Sequence, residues 1–398
     1  MSQAIYLNLL AMPRTIYFDY NATTPVDPRV VEVMLPYFTE VYGNAASNDH
    51  TFGLDAKRAV DKAREQIARL INARPDEIIF TSGATESDNI AILGVAEKYA
   101  HKGQHIITCV TEHKAVLDVC QKLERDGNRH GRYDITYLPV DQYGIVDPDA
   151  VRRAITPQTT LISIMAANNE IGTIPAIAEI GRIAADHDIF FHTDAAQGGG
   201  HIPLDVQAMN IHIMSLSAHK MYGPKGIGVL YRRRSNPRVL LEPVIYGGGH
   251  ERGLRSGTLN VPYIVAFGEA ARLAALEMKK EGAQFRQWTE RMLTRLQAEL
   301  GDVCLNGHPT ERLPHNLNVS IPGIKARALI PQLKDVALAT GSACTSAEVK
   351  PSHVIQALGF GDGRAHSALR ISVGQLNTDE QVETAVDQLI TTVQQLRK

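Results

Sequence analysis

Short apolar segments alternate with longer amphipathic segments through the first two-thirds of the chain. Five apolar runs rich in β-branched and aromatic residues predict strands, at residues 78–80, 105–110, 161–165, 189–191 and 211–216. Segments with helical spacing lie between them, such as 88–100 and 174–187. This alternation predicts a mainly parallel sheet covered by helices on both faces.

The pattern changes near Asn260. The Gly/Pro turn at 222–225 predicts a strand that returns as a hairpin over 226–231, and residues 263–300 are dominated by helix formers. Shorter strand-like pieces then appear at 316–320 and 370–373, and a capping box at 378–381 introduces a final helix. We therefore expect a large α/β domain over 25–270 and a smaller α+β domain formed by 1–24 and 271–398.

Composition and charge exclude several classes of protein. The 398 residues include 41 Lys and Arg and 43 Asp and Glu, a formal net charge of −2, so direct binding to nucleic acid is not expected. No run of eighteen apolar residues predicts a membrane span, and the N-terminal stretch lacks the basic region of a signal peptide. We expect a cytoplasmic protein.

The chain has four scattered cysteines with no CxxC pair, which favours neither a disulfide scaffold nor a metal site. Cys109 lies in an apolar run, and Cys120 and Cys304 also fit structural positions. Cys344 differs, because its neighbours over 341–347 are small and polar and are poorly suited to a core. It is either a tolerated loop cysteine or a nucleophile.

Polar residues follow each of the five apolar runs. Because the carboxyl ends of parallel strands meet at one edge of a sheet, these residues predict a common ligand site. They occupy 81–87, 111–113, 168–170, 194–197 and 217–220.

Each polar group also has a purely structural interpretation. The segment 82–85 before a helix is either an N-cap with a turn glycine or a cradle for a phosphate. Asp194 is either a helix cap or a carboxylate that holds a protonated ring nitrogen, and Lys220 is either a surface lysine or a Schiff-base lysine. His113 and His219 taken singly are ordinary structural histidines. Together, the lysine, the cradle and the carboxylate favour pyridoxal phosphate.

Longer motifs carry a resemblance that covers most of the chain. They lie at 19–25, 81–89, 111–116, 168–172, 217–226, 247–258 and 342–346, the last reading Ser-Ala-Cys-Thr-Ser. In these motifs the sequence resembles the cysteine desulfurases of the NifS/IscS type, which are fold-type I enzymes of the class V aminotransferase family. The resemblance implies a PLP-dependent transferase fold, with a large α/β domain built on a mainly parallel, seven-stranded-type sheet and a smaller α+β domain that carries the cysteine loop.

The resemblance also implies residue roles. The catalytic residues would be Cys344 as nucleophile, Lys220 as Schiff-base lysine and base, and His113 in proton transfer. The pyridoxal 5'-phosphate would be bound by Ala84, Thr85, His113, Asn169, Asp194, Gln197, Ser217, His219, Lys220 and Thr258. Thr258 would come from the neighbouring subunit of a homodimer. The substrate would be bound by Asn44, Asn169 and Arg370.

The implied reaction removes sulfur from L-cysteine, gives L-alanine and leaves a persulfide on Cys344 for a sulfur-acceptor protein, in iron–sulfur cluster assembly or thiolation. Two alternatives remain open: a selenocysteine lyase or related PLP lyase or aminotransferase, and a protein that mainly binds a sulfur acceptor. The sequence departs from the family pattern at Ala166-Ala167 and at 198–201, where Gly-Gly-Gly-His replaces a serine-containing turn with a basic lysine.

Overall fold

The computed structural model describes residues 15–340 and 351–398. Most of the described strands are short and largely buried. They are β1 (Ile16–Tyr17), β2 (Ile78–Thr81), β3 (His105–Cys109), β4 (Asp134–Leu138), β5 (Thr159–Ser163), β6 (Phe190–Asp194), β7 (Ile213–Ser217), β8 (Gly228–Arg232), β9 (Cys304–Leu305), β10 (Asn316–Ser320), β11 (Val336–Ala337) and β12 (Ala368–Ser372).

Seven of these strands form one sheet in the order β2-β8-β7-β6-β5-β3-β4. The strands β4, β3, β5, β6 and β7 pair in parallel, and β8 is antiparallel to both of its neighbours. The mainly parallel sheet and the hairpin return of β8 confirm the expectation from the hydrophobic pattern. The sequence pattern missed β4, because this edge strand exposes Asp134 and half-buries the next three residues, so it lacks an apolar run.

The helices cover the sheet and build the rest of the described chain. They are Pro28–Met34, Pro36–Thr39, Thr51–Leu70, Ala84–Lys98, Lys114–Arg125, Pro148–Ala154, Ile177–Asp186, Val261–Leu300, Ala326–Leu329, His353–Ala357, Asp362–His366 and Asp379–Leu396. Short 3₁₀ turns lie at Pro75–Glu77, Ala218–Lys220, Glu251–Gly253 and Ile330–Gln332.

The last helix begins as expected, although its cap is simpler than a capping box. The Thr378 hydroxyl accepts from the Gln381 backbone N–H at 3.2 Å. The Gln381 side chain does not complete the reciprocal bond, because its Oε1 accepts from Asn377 Nδ2 at 3.4 Å. One half of the capping box is therefore present.

Apolar side chains form separate clusters in the large sheet region and in the region that follows residue 280. Two clusters cover the two faces of the seven-stranded sheet, and a third lies against β10 and β12. The helix Val261–Leu300 contributes to both parts: Val261 to Leu273 pack with the large sheet, and Phe285 to Leu300 pack with the second core. A short parallel pair of β1 with β11 adds residues near the N-terminus to the second core.

None of the described helices is both long enough and apolar enough to cross a lipid bilayer.

Candidate functional site

A cavity of about 570 Å³ opens where β2, β3, β5, β6 and β7 end. It collects ten of the residues proposed from sequence, although those residues lie far apart along the chain. They are Ala84, Thr85, His113, Asn169, Asp194, Gln197, Ser217, His219, Lys220 and Arg370.

One wall of the cavity is the N-terminus of the helix Ala84–Lys98. Its first backbone N–H groups have no acceptor within the helix, which makes this end suitable for an anion. The backbone approaches closely here, because a Cβ on Gly228 would lie 2.5 Å from the Gly83 Cα. A glycine at position 228 therefore keeps β8 close against the loop that enters the helix.

His219 lies beside this wall in a polar but poorly hydrated position. Its Nδ1 lies 3.1 Å from the Thr23 hydroxyl, and its backbone carbonyl accepts from the Thr24 N–H at 3.0 Å. Burial, together with the charges of Lys220 and Lys225, lowers the pKa of His219 to about 4. The imidazole is therefore neutral near pH 7 and can donate a hydrogen bond without adding charge.

Asp194 closes the inner part of the cavity at the end of β6. Its Oδ1 accepts from the Ala196 N–H at 2.9 Å. Burial and the nearby Asp88 carboxylate raise the pKa of Asp194 to about 6, while the electrostatic interaction with His113 opposes the rise. A cationic group bound beside Asp194 would lower this raised pKa and favour the ionised carboxylate.

Asp88 is a further acidic group of the cavity that the sequence reasoning missed. Its side chain is fully buried, and neither oxygen has a hydrogen-bond partner among the described residues. His192 Nε2 lies 3.5 Å from Asp88 Oδ1, and the other ring nitrogen of His192 lies 2.8 Å from the Ser163 hydroxyl. Asp88 lies within the motif at 81–89, but an acidic residue near the start of a helix is equally typical of a solvated position.

Glu112 adds a third buried carboxyl group near Asp194. Its Oε1 accepts from the Met165 N–H at 2.7 Å, and burial raises the pKa of Glu112 well above its ordinary value. The charges of Asp194 and Asp88 act in the same direction. Burial therefore favours the uncharged form of Glu112 beside Asp194.

Lys220 ends the 3₁₀ turn Ala218–Lys220, directly after β7. Its Nζ donates to the backbone carbonyls of Asn21 and Ala22 at 2.5 and 2.8 Å. The amine is half-buried in the cavity wall and close to the segment that follows β1. A desolvated lysine in this position has the environment that makes an amine nucleophilic.

Two neighbouring side chains of the cavity have fixed orientations. His113 caps the helix Lys114–Arg125, and its Nδ1 accepts from the Ala115 N–H at 3.2 Å. Gln197 makes two hydrogen bonds of 2.9 Å with Asn21. Its Oε1 accepts from the Asn21 side-chain amide, and its Nε2 donates to the Asn21 backbone carbonyl. Fixed rotamers reduce the entropy that ligand binding would otherwise cost.

Arg370 reaches the cavity from β12 and is almost completely buried. Its Nη2 donates to Asp19 Oδ1 at 2.7 Å, and its Nη1 donates to the Asn169 carbonyl at 3.0 Å. Its Nε has no hydrogen-bond partner among the described residues. A buried guanidinium with a remaining donor can bind a carboxylate.

Two residues proposed from sequence do not line this cavity, and a third lies outside the described residues. Asn44 is exposed, and its Oδ1 accepts from the Ala46 N–H at 2.9 Å. Thr258 is also exposed and does not line the cavity of its own chain. Cys344 lies outside the described residues. The roles of all three stay predictions.

The described cysteines lie in structural positions. Cys109 and Cys120 are buried, and Cys304 is half-buried. Burial raises the pKa of the Cys109 thiol well above its ordinary value and that of Cys120 to about 12. Neither of these two thiols forms a thiolate near pH 7, so neither is suited to nucleophilic attack.

The residues of the cavity fit pyridoxal phosphate. The helix N-terminus, the hydroxyls of Thr85 and Ser217 and the His219 imidazole suit a phosphate, and the buried Asp194 suits a protonated ring nitrogen. The volume lies within the range of cofactor pockets. Within 15–340 and 351–398, no group of three or more His, Cys, Asp or Glu side chains could hold a metal ion.

Comparisons with known proteins agree with this chemistry. The profile of the family described as Aminotransferase class-V matches residues 16–385. Cysteine desulfurase IscS of Rickettsia rickettsii (strain Iowa) is 49% identical over 391 residues, which cover 98% of this chain and 93% of the relative. Cysteine desulfurase IscS of Anaeromyxobacter dehalogenans (strain 2CP-C) is 52% identical over 383 residues, which cover 96% and 93%.

Solved structures are similar over nearly the same length. A NifS-like protein has a TM-score of 0.88 and 36% identity, and the match covers 96% of this chain and 99% of that one. A structure described as SspA in complex with cysteine has a TM-score of 0.79 and 38% identity, with 90% and 99% covered. These findings confirm the predicted fold class and cofactor. The chain belongs to the class-V aminotransferase family, as a pyridoxal-phosphate-dependent cysteine desulfurase.

Proposed function

We propose that this enzyme transfers the sulfur of L-cysteine to Cys344, releases L-alanine and passes the sulfur to an acceptor protein. The observation that carries the proposal is the meeting of Lys220, Asp194 and Arg370 in one cavity at the strand ends. The reaction balances without an external oxidant or reductant: one thiol hydrogen ends on the alanine methyl group, and the other ends on the new persulfide.

The cofactor supplies an electron sink for bonds at the substrate Cα. In our proposal the N-terminus of the helix Ala84–Lys98 would bind the phosphate, with Thr85, Ser217 and His219 as further donors. Asp194 would hold the ring nitrogen in its protonated form, and Lys220 would attach the cofactor covalently. Gln197 contacts the ring oxygen, and its double hydrogen bond with Asn21 keeps its amide in place.

Three side chains act on the substrate. Arg370 binds the cysteine carboxylate through the donors that Asp19 and Asn169 leave available, and Asn169 lines the same part of the cavity. Lys220 Nζ would take the Cα proton, and His113 would act as a proton carrier for the cofactor and the substrate. Asn44 is proposed as a further substrate contact.

We also propose that the enzyme is a homodimer in which Thr258 reaches the cavity of the partner. Thr258 is exposed, but ion pairs hold its segment firmly: Glu251 with Arg64 at 2.7 Å, and Arg255 with Glu86 at 2.7 Å. Exposed apolar side chains that a partner could cover occur at Phe38, Tyr42, Phe52 and Tyr246.

The two cores support the proposed division into a large domain of residues 25–270 and a smaller one of 1–24 and 271–398. The pairing of β1 with β11 and the bridge from Asp19 to Ser372 attach the first described residues to the second core. We further propose a cytoplasmic location, because a cysteine nucleophile needs a reducing compartment.

The proposal is tested by incubating the purified protein with L-cysteine and pyridoxal phosphate and measuring alanine and sulfide. Cys344→Ser should keep the visible absorbance of the cofactor and still bind cysteine, yet release no sulfide. Cys304→Ser is the matched control, because Cys304 is half-buried in a short edge strand, and it should keep full activity. Sulfide release by Cys344→Ser at the wild-type rate would disprove the role of Cys344.

A further inference from the structure

His201 lies directly behind the turn that carries Lys220. The His201 Nε2 is 2.7 Å from the Lys220 backbone carbonyl oxygen. Because a carbonyl oxygen only accepts, Nε2 must carry the proton and donate it. Lys220 is the last residue of the turn Ala218–Lys220, where a helical turn leaves its final carbonyls without internal partners. His201 therefore satisfies a carbonyl that the turn cannot satisfy itself.

A second histidine supports His201 from the other core. The rings of His201 and His315 have centroids 4.1 Å apart and an interplanar angle of 38°. His315 immediately precedes β10 and is 2% exposed. Its Nδ1 is buried and has no hydrogen-bond partner among the described residues. The two rings thus connect the start of β10 with the backbone of the reactive lysine.

Both imidazoles are held in the neutral form. Burial lowers the pKa of His201, and burial together with the neighbouring His201 and Lys220 side chains lowers the pKa of His315. A small cavity beside His201 is also lined by Asp27, Tyr222 and Glu281. A neutral donor can fix the Lys220 backbone without placing a second positive charge beside the amine.

We propose that His201 is a positioning residue for Lys220, which it orients through the Lys220 carbonyl while His315 holds the His201 ring in place. The inference rests on the proposed function, in which Lys220 carries the cofactor. Fixing the carbonyl fixes the peptide plane after Lys220. The direction in which its side chain leaves the turn is thereby set towards the cavity.

Three substitutions of His201 distinguish the effect of its N–H donor from the effect of its aromatic ring. In His201→Gln the side-chain amide can place an N–H near the position of Nε2. In His201→Asn the amide falls near the position of Nδ1 and cannot reach the carbonyl. His201→Phe keeps an aromatic ring against His315 but has no donor. His187→Phe, at an exposed histidine that follows the helix Ile177–Asp186, is the control for a general loss of histidine.

The first measurement uses the full-length protein stripped of cofactor. Pyridoxal phosphate is added, samples are reduced with borohydride at intervals, and mass spectrometry follows its attachment to Lys220. We expect attachment to slow about tenfold in His201→Phe and His201→Asn, the size of one lost buried hydrogen bond. We expect His201→Gln and His187→Phe to remain within about threefold of the wild type.

The second measurement titrates the visible absorbance of the loaded protein with pH. Displacement of the Lys220 side chain should move the pH midpoint of the spectral change by about half a pH unit or more in the Phe and Asn variants. The same variants should have a lower kcat with little change in the KM for cysteine. The Gln variant should restore both. Thermal unfolding of each variant identifies loss of the fold, and the Gln and Asn pair decides the question if the Phe variant does not fold.

Equal attachment rates and equal midpoints in all variants would overturn the positioning role. Rescue by Asn as complete as rescue by Gln would overturn it as well, because only Gln can reach the carbonyl. Failure of the wild-type protein to attach the cofactor at Lys220 would instead contradict the proposed function itself.

Discussion

Arg370 Nη2 donates to Asp19 Oδ1 at 2.7 Å, and these two residues lie 351 positions apart in the chain. Arg370 is 3% exposed, so its charge is compensated mainly by this one carboxylate and by the Asn169 carbonyl. The pair fixes which donors of the guanidinium face the cavity. Asp19 therefore controls how Arg370 is presented to a substrate carboxylate.

We expect Asp19→Asn to weaken cysteine binding, because the guanidinium loses the charged partner that orients it. The KM for cysteine should rise about three- to tenfold with a smaller change in kcat, equivalent to about 1 kcal/mol of binding. Steady-state kinetics check this, with the exposed Asp186→Asn as the control. An unchanged KM would show that Arg370 is oriented without Asp19.

Asp88→Asn should lower the pKa of Asp194. The Asp88 charge is one of the two causes that raise the pKa of Asp194 to about 6, and the substitution removes it while keeping the size of the side chain. The acidic limb of the kcat/KM profile should move to lower pH by about one unit or less. Asp118→Asn, on an exposed helix position, should leave the profile unchanged.

The buried histidines should make the protein sensitive to acid. Burial lowers the pKa of His212 to about 3 and that of His219 to about 4, whereas both titrate near 6.5 in the unfolded chain. Below about pH 6.5 the unfolded state binds protons that the folded state does not. The free energy of unfolding should therefore fall as the pH falls, by about 1.4 kcal/mol per unit for each such group.

One substitution isolates this effect. His212 Nδ1 accepts from the Phe191 N–H at 2.9 Å, and the Asn side-chain oxygen lies near the position of Nδ1. His212→Asn should therefore keep the hydrogen bond and flatten the pH dependence of the unfolding free energy by about one proton between pH 6.5 and 4. Urea unfolding at several pH values measures the slope. A slope equal to that of the wild type would contradict the assignment.

Removing Arg64 should destabilise the fold strongly. Arg64 pairs with Glu251 at 2.7 Å, their side chains are 9% and 2% exposed, and the guanidinium lies 4.6 Å from the Phe80 ring centroid. Arg64→Met leaves Glu251 buried without its cation and should cost about 3–5 kcal/mol of unfolding free energy. The double variant with Glu251→Gln should recover part of this loss.

The exposed pair of Arg29 with Glu277 is the matched control for Arg64. Its nitrogen and oxygen are 2.6 Å apart, but the side chains are 48% and 32% exposed. Glu277→Ala removes this pair and leaves Arg29 bound to Asp27, and it should cost less than about 1 kcal/mol, because water screens such pairs. Equal losses for Glu277→Ala and Arg64→Met in urea unfolding would mean that burial does not set the energy of these pairs.

The parts of the fold that depend on local pattern were predictable from the sequence. Residues such as Asp194 and Lys220 directly follow apolar runs. Because the carboxyl ends of parallel strands lie at one edge of the sheet, the sequence predicted that these residues meet there. The edge strand β4 was missed, because only its last residue is fully buried and it has no apolar run to detect. The roles of Cys344, Thr258 and Asn44 came from the family resemblance and are still predictions.

Contacts between distant segments were not predictable from local pattern. Asp19 stands in a motif, but nothing in its neighbours indicates a partner on β12. Asp88 looks like an ordinary acidic residue near a helix start, although it is buried beside His192. The sequence analysis noted His201 as a departure from the family, yet its bond to a backbone carbonyl depends on how two turns are placed in space.

The helix Val261–Leu300 has 40 residues and therefore extends about 60 Å. Its first half completes one hydrophobic core and its second half completes another. A cut near its middle would leave each half of the helix packed in its own core, but it would remove the rigid connection that the continuous helix forms between the two cores. Because this helix is continuous through both cores, we expect unfolding of one core to fray the helix and weaken the other, so that the two halves of the enzyme unfold together.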